Sequence, residues 1–266
     1  MIDLTKSDMN QFQYSDWISY FKNNDTQRLK IDFSEEKMLP ENVKHLIFPS
    51  MRIFQKGEGS DGTFLMHTVE RYIKMGGPID YQQAMQLFIK EENWHSAYLK
   101  TYMNYYKIPA AKKSILDAIF RKIRHLGGLK CEVTILVTSE MIALTYYDAL
   151  SKCTDSKVLK EICQQMLNDE LPHIIFQSYT LSRLNPSGWD IFVRKLIMNV
   201  TLPLVWGVCR KVYRTGGYHF SSFIKEANGY LRQSVYLSQK QKAKSCKNRS
   251  PLKTTKRIID NNKFHK

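Results

Sequence analysis

Two four-residue segments of the sequence pair a carboxylate with an imidazole at a spacing suited to metal binding. They are Glu92-Asn93-Trp94-His95 and Glu170-Leu171-Pro172-His173. In an α-helix, residues i and i+3 lie on the same face, so each pair can hold one metal ion. With 12 Glu and 7 His in 266 residues, chance gives about 0.3 such pairs. The two pairs point to metal chemistry if a partner helix brings a further carboxylate to each of them.

The second pair has such a partner at a matching height. A turn is predicted near Asp155, with Glu140 15 residues before it and Glu170 15 residues after it. At 1.5 Å per helical residue, both carboxylates lie roughly 22 Å from the turn. His173 lies about one helical turn further along. Two antiparallel helices would therefore bring Glu140 to the level of the second pair.

The first pair has two candidate partners. Its turn is predicted near Gly77, which places Glu92 and His95 roughly 22–27 Å away. Glu70 lies only 7 residues before the turn, roughly 11 Å from it, and is at the wrong level. Glu58 lies 19 residues before the turn, roughly 28 Å from it and near the level of His95. Glu58 is therefore the predicted partner.

The two halves of the chain thus repeat one pattern of ligands. Four carboxylates and two imidazoles form an oxygen-rich donor set, which suits two iron ions, or manganese, better than zinc or copper. The alternative is that the acids are solvated and the histidines belong to the core, but unrelated residues would not fall at matching heights. The predicted metal ligands are Glu58, Glu92, His95, Glu140, Glu170 and His173, and all but the first are also the predicted catalytic residues.

Helical periodicity positions these residues and dominates from about residue 58 to residue 236. It predicts an all-α protein in which two long antiparallel hairpins, 58–106 and 129–184, form a ferritin-like four-helix bundle with flanking helices at both ends. Glycine and proline pairs mark most of the helix ends. The predicted helices span about residues 60–75, 80–106, 111–126, 129–152, 156–184, 189–213 and 218–237.

The positive charge is concentrated at the C-terminal end. The formal net charge is +15, and residues 240–266 carry ten Lys or Arg against one Asp, which leaves +6 for the rest. This polar segment lacks apolar periodicity, so it is predicted to be a disordered tail that contacts an acidic partner, an anionic membrane surface or only solvent. The predicted domains are an N-terminal flanking segment at 1–57, the bundle with two extra helices at 58–238, and the tail at 239–266.

Cysteine usage and apolar runs bear on the cellular compartment. The five cysteines are scattered without a CxxC pair, which excludes a disulfide framework and a thiolate metal site. The first residues lack the apolar region of a signal peptide, so a cytoplasmic protein is expected. The longest apolar run, 196–209, has 14 residues, whereas a membrane span needs about 20. We interpret it as a buried helix, with association at a membrane interface as the alternative.

The two metal-binding segments resemble motifs of known enzymes. Glu91-Glu92-Asn93-Trp94-His95 resembles the EENxH motif of the soluble acyl-carrier-protein desaturases. Asp169-Glu170-x-x-His173 resembles the DExxH motif that these enzymes share with ribonucleotide reductase small subunits. Both groups belong to the ferritin-like di-iron superfamily, and the resemblance covers about residues 50–185. It implies that Asp169 accepts a hydrogen bond from a ligand imidazole and fixes its tautomer, whereas Glu91 either does the same or is solvated.

Two features depart from this pattern. Pro172 lies inside the second segment, where it removes a backbone donor and either distorts or interrupts the helix. Glu58 lies in the glycine-rich stretch Lys56-Gly57-Glu58-Gly59-Ser60. Its backbone is therefore expected to be flexible or only just helical.

The resemblance implies an O₂-activating di-iron oxidoreductase of the desaturase or hydroxylase type. Apolar residues at helical spacing near the site suit a hydrophobic, possibly acyl-chain, substrate, although any bundle core looks alike: Phe88, Leu99, Ala143, Leu144 and Met166. The mildly basic body can dock an acidic carrier protein. Electrons would come from a separate ferredoxin or reductase, because the sequence has no flavin or rubredoxin motif. A homodimer is a further expectation.

Two other classes of function stay open. The first is an iron-handling or peroxide-scavenging protein like ferritin or rubrerythrin, although the lack of CxxC pairs and the extra helices argue against the usual forms. The second is a non-enzymatic helical module that binds through its basic tail, which leaves the six predicted ligands unexplained. Four buried tyrosines are predicted near the site and are either redox-active or ordinary core residues: Tyr98, Tyr102, Tyr146 and Tyr147.

Overall fold

The computed structural model of the chain describes residues 1–59, 62–111 and 127–247, the last range without side chains from 241 onward. Within these ranges the protein is all-helical and contains no β-strand. Two short 3-10 helices come first, Leu4–Lys6 and Asp8–Gln11. The α-helices are α1 (Tyr14–Asp25), α2 (Glu41–Glu58), α3 (Thr63–Lys74), α4 (Asp80–Tyr105), α5 (Gly128–Ser151), α6 (Lys157–Arg183), α7 (Gly188–Thr215) and α8 (Phe220–Lys247).

The predicted all-α class is confirmed, and the helices lie where the apolar pattern placed them. Helices α3 to α8 correspond to six of the seven predicted helices. The other one, at about 111–126, falls almost entirely outside the described residues. Helix α8 is longer than predicted, because it continues to Lys247 and so enters the segment assigned to the basic tail. The rest of that tail lies outside the described residues.

The N-terminal segment is more regular than its sequence indicates. Helix α1 packs against α4, and the 18-residue helix α2 packs against α4 and α7. Helix α2 runs across the predicted 57/58 boundary, so Glu58 is the last helical residue before a break and not the first residue of the next helix. The backbone of Glu58 is therefore helical in spite of its two glycine neighbours.

Two hairpins bring the predicted site helices together. The turn between α3 and α4 contains Gly76 at φ +93°, a left-handed conformation that glycine adopts without strain. Helices α5 and α6 pack along each other, and the Ser156 hydroxyl caps α6 by accepting a hydrogen bond from the Leu159 amide at 3.0 Å. Helix α4 packs against α2, α3 and α6, and α3 also packs against α5. Helices α4 and α6 therefore face each other with their ligand pairs between them.

Helix α6 is continuous although Pro172 lies within it. Proline removes one backbone hydrogen bond from the helix interior, but the remaining bonds and the buried position of this segment keep the chain helical. The interruption that the sequence left open does not occur. Glu170 and His173 therefore stay on one face of the same helix, one turn apart.

Helix α7 contains the longest apolar run and is not buried in the way we predicted. Its inner side packs on α5 and α2, but Leu196, Val200, Leu204 and Val208 on the outer side are exposed. The buried-helix interpretation is wrong for this outer side, because none of the described helices covers it. By length and hydropathy, two helices are long and apolar enough to cross a membrane: α5, which is mostly buried in the protein, and α7, which is mostly exposed.

Candidate metal centre

The two predicted ligand pairs meet in the interior between α4 and α6. Glu92 and His95 come from α4, and Glu170 and His173 come from α6. One ligand atom from each of the four lies within 4.8 Å of the others. Both histidines and Glu170 are fully buried, and Glu92 is half-buried. The structure thus brings together four of the six predicted ligands in a cluster with the size of a metal site.

Each of the two carboxylates in this cluster lies between the two imidazoles. Glu170 directs Oε1 toward His95 Nδ1 at 3.5 Å and Oε2 toward His173 Nδ1 at 3.4 Å. Glu92 Oε1 is 2.8 Å from His173 Nδ1 and 3.9 Å from His95 Nδ1. Both carboxylates are therefore close to the Nδ1 atoms of both imidazoles.

The Nε2 atom of each imidazole faces a further carboxylate, Asp169 or Glu91, on the opposite helix. His95 Nε2 on α4 donates a hydrogen bond to Asp169 Oδ2 on α6 at 3.0 Å. His173 Nε2 on α6 lies 3.4 Å from Glu91 Oε1 on α4. Because a carboxylate only accepts hydrogen bonds, the first contact places a proton on His95 Nε2 and directs Nδ1 inward. The second is an ion-pair contact without hydrogen-bond geometry. Glu91 is fully buried, so the solvated alternative for this residue is wrong.

A residue of helix α1 links these two outer acids. Asn24 Nδ2 donates to Glu91 Oε1 at 2.6 Å and to Asp169 Oδ1 at 3.1 Å. Gln165 Nε2 donates to both oxygens of Asp169, at 3.0 and 2.9 Å. Neither residue was predicted from the sequence. Gln165 could have been found, since it lies one helical turn before Asp169, whereas Asn24 lies 67 positions before Glu91 and has no signal in the spacing.

Glu58, the predicted partner of the first pair, lies at the edge of the cluster. Its carboxyl accepts a short hydrogen bond from the Tyr147 hydroxyl and interacts electrostatically with Glu92, Glu170 and His95. The residue is half-buried and ends helix α2. Glu58 is outside the group of four that converges within 4.8 Å, but it stands beside the His95 half of the cluster.

Glu140, the predicted partner of the second pair, is held more firmly. It lies in the middle of α5, is 3% exposed, and accepts a hydrogen bond from Gln177 Nε2 at 3.1 Å. Its carboxyl interacts with Glu170 and with His173. Gln177 lies one turn after His173 on α6, so this hydrogen bond also joins the two helices of the second hairpin.

The acids around the imidazoles raise the affinity of the imidazoles for protons. Burial alone disfavours an imidazolium, yet the hydrogen bond to Asp169 and the nearby Glu170 carboxylate raise the pKa of His95 well above its ordinary value. Burial is likewise outweighed at His173, whose pKa is raised by the charge of Glu92 and by the other carboxylates. The carboxylates around both imidazoles thus favour their protonated forms.

The pKa values of the buried carboxyls shift in opposite directions. Removal from water and repulsion by Glu170 raise the pKa of Glu58 and of Glu140 well above the ordinary value. Burial also opposes ionisation of Glu170, but its contacts with the His173 and His95 imidazoles outweigh this and lower its pKa. A bound cation would compete with protons for these groups.

The inner atoms of the cluster fit a metal ion. They are buried and make no hydrogen bond of good geometry with any residue that the structure describes, although an unpaired buried polar atom is costly. A cation would satisfy all of them at once, and the mixture of carboxylate oxygens with two imidazoles is typical of iron and manganese sites. These atoms are Glu92 Oε1, His95 Nδ1, Glu170 Oε1 and Oε2, and His173 Nδ1.

Aromatic and apolar side chains separate the cluster from water. The Phe88 ring packs edge-on against the His173 imidazole, with centroids 4.8 Å apart, and Phe21 lies 6.1 Å from the same ring. The predicted apolar neighbours and the four predicted tyrosines are all buried. Among the tyrosines, Tyr147 contacts Glu58 directly, whereas Tyr146 donates to Ser50 at 2.9 Å.

The structure therefore establishes an all-helical protein with a buried Glu/His cluster that is able to hold metal. This arrangement is compatible with a ferritin-like fold, and the identity of the metal is not fixed by the geometry of the ligands alone. Comparison with known proteins adds no relative: no protein-family model, no curated protein and no solved structure matches this chain.

Proposed function

We propose that the core of the protein is a ferritin-like four-helix bundle. The support comes from four elements of the bundle. Helices α2 and α3 together form the first, and α4, α5 and α6 form the other three. The last three carry Glu140 and the two ligand pairs, and Glu58 ends α2. Helices α5 and α6 pack along each other, and α4 joins α6 to α2 and α3. In bundles of this kind, ligands project inward from facing helices to one common level.

We further propose that the cluster holds two iron ions, with manganese as the second choice. His95 with Glu58 would serve one ion and His173 with Glu140 the other, while Glu92 and Glu170 would serve both. The observation that carries this assignment is the position of Glu170, whose two oxygens are directed to different imidazoles.

The function that this site supports best is that of an O₂-activating oxidoreductase. Two bound irons would supply the redox chemistry that oxidises an unreactive C–H bond. The protein's own residues would bind and orient the ions, with Asp169 holding the His95 tautomer and Glu91 facing His173 Nε2. The aromatic shell around His173 would exclude water from the reacting centre. Desaturation or hydroxylation are the favoured reaction types.

The substrate is proposed to be an apolar organic molecule, for example an acyl chain on an acidic carrier protein. The buried residues Phe88, Leu99 and Met166 give the surroundings of the cluster an apolar character. The first 239 residues carry a net charge of +6, which favours docking of an acidic partner. Electrons would arrive from an external ferredoxin or reductase.

The test is oxygen uptake by the iron-loaded protein, supplied with ferredoxin and its reductase as electron donors. A saturated acyl chain on acyl carrier protein and the free fatty acid serve as probes, with mass spectrometry to detect loss of two hydrogens or gain of one oxygen. Glu170→Ala should abolish product formation. Glu70→Ala should retain it, because Glu70 lies on α3 at the wrong level to be a ligand.

The alternative function gives a different outcome in the same assay. A ferritin-like protein would oxidise many irons per chain and accumulate them without altering an organic substrate. A peroxide scavenger would consume hydrogen peroxide with the same electron donor. Either result, without an oxidised organic product from any probe, would contradict the proposed oxidoreductase and favour an iron-handling or peroxide-scavenging protein.

A further inference from the structure

Helix α7 carries a continuous apolar surface that no described element covers. Exposed residues recur every three to four positions along one side of the helix, so they form a stripe roughly 28 Å long. Trp189, at the beginning of the helix, is 70% exposed, and Val200, near its middle, is 55% exposed. Contiguous exposed apolar surface of this extent marks an interaction site. The apolar members of this stripe are Trp189, Phe192, Leu196, Val200, Leu204 and Val208.

The opposite side of α7 is part of the protein core. Met198, Leu202 and Val205 are buried where the helix packs on α5 and α2. If α7 crossed a bilayer, this packing would be lost. The helix can therefore meet a membrane only in the plane of its surface, with the apolar stripe facing the lipid.

The charged residues around the stripe are almost all basic. Lys195 is exposed beside the first half of the stripe, and Arg210, Lys211 and Arg214 are exposed at its C-terminal end. The one acid in α7, Asp190, is paired with Lys130 at 3.0 Å. Long basic side chains at the edge of an apolar surface can bury their methylene groups while the charges reach lipid phosphates.

Helix α8, which leads into the basic tail, packs against the core side of α7. Arg194 of α7 donates hydrogen bonds to Ser234 at 2.6 Å and to Ser238 at 3.3 Å. Arg194 is buried on the core side of α7, and Lys240 lies beside Thr5 and Gln11 of the N-terminal 3-10 helices, so the basic segment starts away from the stripe. Its net charge of +9 adds to the attraction of an anionic surface, but the basic groups that border the stripe are those of α7 itself.

We propose that this face of α7 docks the protein onto an anionic membrane surface, with the helix lying in the plane of the lipid headgroups. Apolar burial would supply part of the binding energy, and the basic residues would supply a part that is sensitive to salt. A second copy of the chain is a poorer occupant, because a two-fold contact would bring the basic residues of both copies into one interface. The proposal does not depend on the metal centre or on its reaction.

The experiment is sedimentation of the full-length protein with vesicles of phosphatidylcholine alone or mixed with phosphatidylglycerol. We expect binding to the mixed vesicles that weakens with salt, and little binding to phosphatidylcholine alone. Leu196→Glu/Val200→Glu should weaken binding at least about tenfold, because two exposed apolar groups lose their contact with lipid. Leu204→Glu/Val208→Glu provides a second, independent pair on the other half of the stripe.

The matched control is Met75→Glu/Ile79→Glu, which adds the same charge at exposed apolar residues in the turn between α3 and α4. It should bind as the unchanged protein does, and circular dichroism should show all three variants to be folded. Three results would overturn the proposal. They are failure of the unchanged protein to bind the mixed vesicles, equal losses in the stripe variants and the control, and a lipid-free dimer that Leu196→Glu/Val200→Glu dissociates.

Discussion

The His95 half and the His173 half of the Glu/His cluster contain the same types of residue, but the surrounding structure holds them with different rigidity. In the His173 half, Glu140 lies in the middle of a 24-residue helix, is fully buried and is fixed by Gln177. In the His95 half, Glu58 is the last residue of α2, is half-buried and contacts Tyr147. The difference lies in the supporting elements and not in the ligands themselves.

This difference indicates that the two halves of the cluster differ in how easily their carboxylates can move. A ligand in the interior of a packed helix cannot move without disturbing its neighbours, whereas a ligand at a helix end can shift at small cost. The C-terminal end of the α2 helix dipole also places partial negative charge near Glu58, which favours a cation there. We therefore expect the His173 half to be the firmer metal position and the His95 half to be the adjustable one.

The largest effect is expected where the two halves share a ligand. Glu170→Ala removes oxygens that face both imidazoles, so both metal positions should be lost and iron content after loading should fall almost to zero. Elemental analysis of the iron-loaded variant measures this. Glu70→Ala should retain full iron content, and a Glu170→Ala protein that still holds its iron would show that the two halves do not share this ligand.

Removal of one partner carboxylate at a time tests the asymmetry directly. Glu140→Ala should weaken iron binding in its half about 100-fold, and Glu58→Ala should weaken it only about tenfold, because a ligand at a helix end is replaced more easily by water. Anaerobic iron titration of both variants measures the two affinities. Equal losses, or a larger loss for Glu58→Ala, would contradict the difference in firmness between the halves.

Asn24 tests the link between the halves from outside the cluster. Asn24→Ala removes the donor shared by Glu91 and Asp169, and should weaken metal binding about tenfold by freeing the orientation of both imidazoles. The neighbouring exposed Asn23, changed to Ala, should have no effect on iron affinity. If the two variants bind iron equally well, Asn24 only packs against the site and does not position it.

The repeat of the ligand pattern made much of this site predictable. The i, i+3 spacing places each ligand pair on one helix face whatever the tertiary fold, and the hairpin arithmetic depends only on helical rise. This is why Glu92, His95, Glu170 and His173 could be named from the sequence and are found together. The helices follow from apolar periodicity for the same reason.

Features set by tertiary packing could not be predicted in this way. The contact of Asn24 with Glu91 and Asp169 depends on how α1 docks on α4, and local spacing carries no information about docking. Helix α2 was not predicted, because helical periodicity was recognised only from about residue 58, and Gly57 and Gly59 indicated that Glu58 is only just helical, whereas this residue ends an 18-residue helix. The exposed side of α7 was missed because an apolar run looks the same whether it faces a core or an interface.

The smallest effect is a dependence of stability on pH in the metal-free protein. The pKa values of Glu58, Glu140, His95 and His173 are all raised, so the folded state binds more protons than the unfolded chain. Stability should therefore fall as the pH rises between about 6.5 and 8, by about 1.4 kcal/mol per pH unit for each extra proton that the folded state holds. Urea unfolding at several pH values measures this change.

The metal-loaded protein is the control for this pH dependence. Metal ions displace the protons of the cluster, so the loaded protein should lose little or no stability over the same range. Glu140→Gln removes one group with a raised pKa, so it should reduce the slope of stability against pH in the metal-free protein. A metal-free protein whose stability rises with pH in this range would contradict the assigned directions of the pKa shifts.

The central claim of this account is that the cluster holds two metal ions. The most direct measurement is elemental analysis of the full-length protein after aerobic iron loading and removal of loose metal, combined with Mössbauer spectroscopy of the bound iron. The account predicts about two irons per chain, seen as a coupled pair, with both lost in Glu170→Ala. One tightly bound zinc per chain, or iron that is retained in Glu170→Ala, would contradict it.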